Sequence, residues 1–321
     1  MLALHLAAGV AYGWRIRGHR QEARHLLELA LIAAGQSASP TLRSDGLTWA
    51  GYLAGATGWA GEPGEIEREL ELARQRQEEA VALASAAGDR WRAATHQRYL
   101  AMTLVRQGAY GGAVNRQRID AMLEEAAAVL GEHDDDWGVG LTRIIQSYGA
   151  LVGGDLDAGQ RAAEMARPHI ERSGDRYAYV RIHECLAVVA ELRGDKDAAR
   201  TLHERALALS RELGFEEAVS AHLALLANLS GEGHGETNAA ADRFGSDELA
   251  GAAAARNKLA AAALAEGDLG RAETLYREAL AFYQQLGMAA GISASVTGLA
   301  DVALARGDPP EGEHPHRRVE S

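Results

Sequence analysis

Apolar and polar positions along this chain follow a helical rhythm, with leucines and alanines on one face, Glu and Arg on the other, and glycine closing each run. The clearest element of the pattern is a Leu-Ala pair standing eight and seven residues before a glycine. It occurs at Leu53-Ala54 before Gly61, Leu100-Ala101 before Gly108, Leu186-Ala187 before Gly194, Leu223-Ala224 before Gly231, Leu259-Ala260 before Gly267 and Leu299-Ala300 before Gly307. Val10-Ala11 before Gly18 and Gln146-Ser147 before Gly154 keep the same phase. Past the glycine, positions five, nine and twelve line one face of a second helix: Ala199, His203 and Ala206, or Ala272, Tyr276 and Ala279. A further glycine then closes that helix at Gly88, Gly131, Gly174, Gly214 and Gly287. Glycine supplies the left-handed conformation that ends a helix, and an aspartate after it, as in Gly194-Asp195, caps the next. The alanines set how closely two helices approach. A register held eight times predicts an all-α, right-handed superhelical solenoid of about seven to eight antiparallel hairpins with a period of about 40, over residues 1–307.

Three stretches break the rhythm. The second unit carries a long charged helix from about Glu65 to Ala87, whose Glu67, Glu71, Arg74 and Glu78 read as a solvated face with i,i+4 pairs. The third has a long second-helix region from Gly111 to Leu130. After Gly231, three glycines near the start of the expected second helix predict a loop, then at most a short helix over 239–244, making residues 231–247 an irregular unit. The polar tail, 308–321, is expected to be disordered.

The Leu-Ala pair, the Gly-Asp turn and the three second-helix positions resemble the tetratricopeptide repeat, although the period is longer than the usual 34 or so and glycine replaces the closing proline. The segment from Arg193-Gly194-Asp195 to Leu209 is similar in style to the carboxy-terminal arrays of SARP-type antibiotic regulatory proteins and related signal-transduction ATPases. That resemblance implies a sensing or partner-contacting arm of a bacterial transcriptional regulator. The phosphate-loop motif of those regulators is absent from this sequence.

Composition agrees with helices, with only six Pro and three Phe. The net charge of −12 opposes a phosphate-binding surface, so direct nucleic-acid binding is not expected. The single cysteine, Cys185, fits a reducing, cytoplasmic setting. Met1 to Tyr12 is apolar but lacks the basic start of a secretion signal, and no stretch suggests a membrane span. No catalytic array is recognisable, since His183 and Cys185 lie two apart and face different sides of one helix. His234 with Glu232 and Glu236 is too few donors for a metal site, and neither metal nor cofactor is expected. Asp135 or Asp136 is expected to cap the helix that carries Trp137.

The expected working surface is the groove lined by the first helix of each hairpin. Counting back from the turn glycines brings Arg98 and Met102, Ile144 and Tyr148, Arg181 and Glu184, and Asn257 to that wall, with Thr95, Leu141, Leu151, Val188, Glu191 and Ala261 beside them. Aromatic area with arginines suits a protein or peptide partner or a small-molecule effector. The rival reading is a scaffold that associates end to end, because the first helix starts apolar with no polar cap.

Overall fold

The glycine and aspartate punctuation is where the local structure is most easily understood. In the computed structural model, which describes residues 1–17, 19–54, 65–109, 115–230, 247–285 and 289–307, Gly154, Gly174, Gly194 and Gly214 all have φ between 64° and 81°. Asp155, Asp175 and Asp195 follow three of them, and each accepts the backbone N–H three residues on, opening a new helix. The described residues form fourteen α-helices and no strand: α1 (Leu2–Ile16), α2 (Arg20–Ala34), α3 (Pro40–Ala54), α4 (Glu65–Ala86), α5 (Arg90–Ala109), α6 (Arg116–Glu132), α7 (Asp136–Val152), α8 (Leu156–Ser173), α9 (Arg176–Leu192), α10 (Lys196–Leu213), α11 (Glu216–Ser230), α12 (Asp247–Ala265), α13 (Leu269–Gln285) and α14 (Ala289–Arg306). Consecutive helices pack on one another from α1 to α11 and from α12 to α14, and α1, α3, α5, α7 and α9 also pack side by side along the stack or meet through their side chains, giving an all-α solenoid.

Two glycines behave differently from the pattern. Gly108 lies inside α5, because burial of Ala109 in the core carries that helix one residue past it. Gly131 lies inside α6, and the left-handed position passes to Asp134, with φ 54°, a residue type that tolerates it. Gly18, Gly61, Gly231, Gly287, the 231–246 irregularity and the 308–321 tail lie outside the described residues.

Alanine occupies the helix crossings as the spacing requires. Ala11, Ala54, Ala101, Ala187 and Ala260 are fully buried, as are Ala23, Ala73, Ala166, Ala199, Ala206, Ala272 and Ala279 on the second helices. Leu223 and Ala300 are exposed instead. For Ala300 the reason is position: α14 packs only on α13 and α12 among the described helices, so its outer side meets solvent.

The last hairpin does more than extend the stack. α12 packs against α5, α7 and α9, so that Ala253 and Ala254 share a core with Met102, Val105, Ile145 and Tyr148. α12 therefore occupies part of the wall that a simple one-directional pile would leave open.

α13 and α14 interlock through two tyrosine-glycine pairs in antiparallel register. A β-carbon on Gly298 would stand 2.2 Å from the Tyr276 ring, and one on Gly291 would stand 2.2 Å from the Tyr283 ring. Helix propensity alone favours Gly→Ala by about 1 kcal/mol, whereas overpacking costs about 1–3 kcal/mol. Gly298→Ala is thus expected to lower the melting temperature. Gly13→Ala, in α1 with open space around it, is expected to leave it unchanged or raise it. Equal shifts in the two variants would show that the rings yield freely.

Candidate functional site

The inner wall begins with a device repeated from hairpin to hairpin. Asp135 and Asp175 each cap their own helix through Oδ1 and accept a tryptophan of the preceding hairpin through Oδ2. Trp91 Nε1 donates to Asp135 at 2.8 Å, and Trp137 Nε1 donates to Asp175 at 2.6 Å. One hairpin on, the equivalent Tyr177 packs on Phe215 with ring centres 4.9 Å apart. Tyr12 of α1 reaches across to the same carboxylate, donating to Asp175 Oδ2 at 2.8 Å, and meets the rings of Trp137 and Tyr177 edge-on. The first hairpin is so joined to the fourth and fifth.

Two cavities open along this wall and share Arg98 and Tyr99. The smaller, about 60 Å³, lies among α1, α3, α5, α7 and α9 and is lined by Tyr12, Arg15, Tyr52, Met102, Tyr148, Tyr177 and Arg181, with Leu141, Ile144 and Ile145. The larger, about 260 Å³, lies among α1, α3, α5 and α7, beside Trp49, Trp91 and Trp137.

Arginines sit on aromatic faces throughout. Arg98 lies 4.8 Å from the Tyr99 ring centre and 5.0 Å from that of Trp137, and Arg106 lies 4.9 Å from that of Tyr52. Arg15 Nε donates to the Tyr52 hydroxyl at 2.9 Å. Burial by itself raises the Tyr52 phenol, but the charges of Arg15 and Arg106 and the Arg15 bond outweigh it and bring it down to about 8. Tyr99, where burial dominates over the Arg98 charge, is pushed up to about 12. The wall thus favours negative charge at the arginines and stays apolar beside them.

Behind the smaller cavity runs a buried polar chain. Arg181 pairs with Glu184 at 2.7 Å, and Glu184 approaches His222 Nε2 at 3.3 Å. The Nδ1 atoms of His222 and His203 stand 3.2 Å apart, so one ring donates and the other accepts. His203 Nε2 meets Glu191 at 2.7 Å, and Glu191 pairs with Arg256, which reaches Glu278. Burial alone would raise both glutamates. Arg181 and the His222 bond at Glu184, and the His203 bond and Arg256 at Glu191, hold them below their ordinary range.

Of the residues expected from the spacing, Arg98, Met102, Ile144, Tyr148 and Arg181 line the smaller cavity, with Leu141, and Thr95 and Arg98 line the larger. Glu184 is held one turn beyond Arg181 by its ion pair. Asn257 sits apart, its Oδ1 accepting from Ser295 of α14. Leu151 belongs to the core between α7 and α8, and Glu191 to the polar chain. Tyr12, Arg15, Tyr52, Tyr99, Tyr177 and the tryptophans escaped the sequence reading. Two signals mark most of them: an aromatic directly before Leu-Ala, at Tyr52 and Tyr99, and Asp-x-aromatic at a helix start, at Trp91, Trp137 and Tyr177. Asp135, rather than Asp136, caps the helix of Trp137. Cys185 is buried and its thiol is pushed up by burial. Among the described residues no group of three potential metal ligands converges, and no helix is long and apolar enough to cross a membrane.

A tetratricopeptide repeat model matches residues 252–286, which span most of α12 and α13. Among solved structures the chain is similar to one described as the crystal structure of Rap protein complexed with competence and sporulation factor, at 11% identity and a TM-score of 0.52, covering 95% of this chain and 99% of that one. That likeness is one of fold. No curated protein matches the chain by sequence. The array is tetratricopeptide-like.

Proposed function

We propose that this chain is a non-catalytic binding module, the sensing or partner-contacting arm of a bacterial regulatory protein, working in the cytoplasm. The observation that carries the reading is convergence: residues from α5, α7 and α9, spaced along the sequence by the repeat, meet with residues of α1 and α3 at one aromatic, arginine-bearing wall. A preformed wall of this kind binds without a large ordering cost. The solved structure of similar fold, described as a complex with competence and sporulation factor, supports a protein or peptide as the occupant. The test is to immobilise the full chain and compare what wild type and the Tyr148→Ala and Arg181→Gln variants retain from the native cytoplasm, alongside ligand-dependent melting. Retention or stabilisation that falls several-fold in both variants supports the reading. Identical behaviour of all three proteins, or no specific retention with no thermal shift, overturns it.

A second reading, end-to-end association, is favoured by one observation. Leu2, Leu6 and Val10 of α1, at successive i,i+4 positions, and Leu26, Leu29 and Ile32 of α2 are exposed on the first hairpin. A strict monomer in sedimentation at high concentration removes it.

A further inference from the structure

We infer that the larger cavity is a site for a small carboxylate with an aromatic body. The inference rests on the binding role proposed above and names the ligand class.

Arg98 decides the chemistry. Its side chain is 1% exposed and lines both cavities. Tyr99 and Trp137 lie against the guanidinium within about 5 Å of their ring centres, which fixes its plane. Along that edge, Nη1 makes one long bond, 3.4 Å to the carbonyl of Gly138. Nε and Nη2 meet neither a carboxylate nor a carbonyl among the described residues. A buried guanidinium with unsatisfied in-plane N–H groups is matched by a planar, bidentate oxyanion.

The neighbouring charges point the same way. Arg92, the other cation of this cavity, is already matched by Asp45 at 3.0 Å and Asp89 at 2.7 Å. His96 donates to or accepts from Thr48 and Ser44 and is held neutral by burial and by the charges of Arg92 and Arg98. Arg98 is therefore the cation of this wall that a ligand would complete.

The rest of the cavity selects the body attached to that carboxylate. Three of the chain's five tryptophans, Trp49, Trp91 and Trp137, line it together with Tyr99. The indole nitrogens of Trp91 and Trp137 are already committed to Asp135 and Asp175, so what those rings offer is apolar surface. A volume of about 260 Å³ is just below the roughly 300–1,000 Å³ of drug-sized sites, which suits a small acid. A free aromatic acid and the last residue of a peptide present the same chemistry here.

The experiment follows tryptophan emission and melting of the full chain with N-acetylphenylalanine, with its amide, and with a short peptide ending in Phe whose carboxyl is free or amidated. The free carboxyl forms are expected to shift the emission and raise the melting temperature, and each amide is expected to bind at least tenfold more weakly. Tighter binding of the peptide acid identifies a chain terminus as the source, and tighter binding of N-acetylphenylalanine identifies a free acid. Arg98→Gln should lose at least tenfold in affinity, and Arg277→Gln, on the exposed surface of α13, should keep it. If Arg98→Gln does not fold, Thr95→Trp, which fills the cavity from its wall, should abolish the emission shift instead. Equal binding of acid and amide, no response to any free carboxyl, or a response unchanged by Thr95→Trp overturns the proposal. In those cases, partner retention that still depends on Tyr148 and Arg181 leaves the binding role itself standing.

Discussion

Glu191→Leu is expected to lower stability to chemical denaturation by about 3 kcal/mol or more. Glu191 is the junction of the buried polar chain: one oxygen meets His203 Nε2 at 2.7 Å, the other Arg256 at 3.1 Å, and all three side chains are almost fully enclosed. Removing the carboxylate takes away the acceptor of His203 and leaves Arg256 with Glu278 as its counter-charge, and breaking a buried pair in this way costs about 3–5 kcal/mol. Replacing the cation by an apolar residue as well removes the charge that has lost its buried counter-ion. Adding Arg256→Met to Glu191→Leu should therefore recover part of the loss. A denaturation midpoint for Glu191→Leu indistinguishable from wild type would show that the chain of ions contributes nothing net. Because the chain runs from α9 through α10 and α11 to α12 and α13, the same variant should loosen the last hairpin preferentially, as read by faster amide exchange in α12.

The second large effect is acid sensitivity centred on His96. The ring is 2% exposed, with Nδ1 at 2.9 Å from Thr48 Oγ1 and Nε2 at 3.0 Å from Ser44 Oγ. Burial, with the charges of Arg92 and Arg98, pushes it down to about 4 from an ordinary 6.5, against a smaller opposing pull from Asp89. Between those values the unfolded chain takes up a proton that the folded chain refuses. The His96 contribution is therefore fully present above about pH 6.5 and is lost as pH falls toward 4, a change of about 3 kcal/mol. Urea midpoints at pH 7 and pH 4.5 should fall sharply for wild type and much less for His96→Gln. If both proteins lose the same stability, the ring is not the acid-sensitive element.

Much of the architecture is legible in the chain because solenoids repeat their physics. The left-handed glycine followed by a capping aspartate, and the alanine at each crossing, are requirements of the hairpin itself, so Gly194-Asp195 and Ala199 announce it locally. The inner wall is legible for the same reason. Fixed offsets from each turn, ten residues for Arg98 and Ile144 and thirteen for Leu141 and Arg181, bring these side chains to one place although they lie on three helices. What escaped is long-range. The position of α12 is set by packing on α5, α7 and α9, helices far earlier in the chain that no local spacing relates to it. Its composition did hold a clue, since α12 is alanine-rich on nearly every side, as a helix covered on several faces must be. The aromatic set escaped because Trp91, Trp137 and Tyr177 are tied to a carboxylate or ring of the next hairpin, a relation visible only once two units are stacked.

The return of α12 onto α5 and α7 alters how this molecule comes into being. In an open array each newly made unit can settle on its predecessor as it leaves the ribosome, since no unit waits for a distant one. Here the middle of the chain lacks its covering helix until the final third has been synthesised, which raises contact order and slows the closing step. A nascent chain stalled before residue 247 would hold Met102, Val105 and Tyr148 uncovered, an apolar strip that trigger-type chaperones are suited to shield.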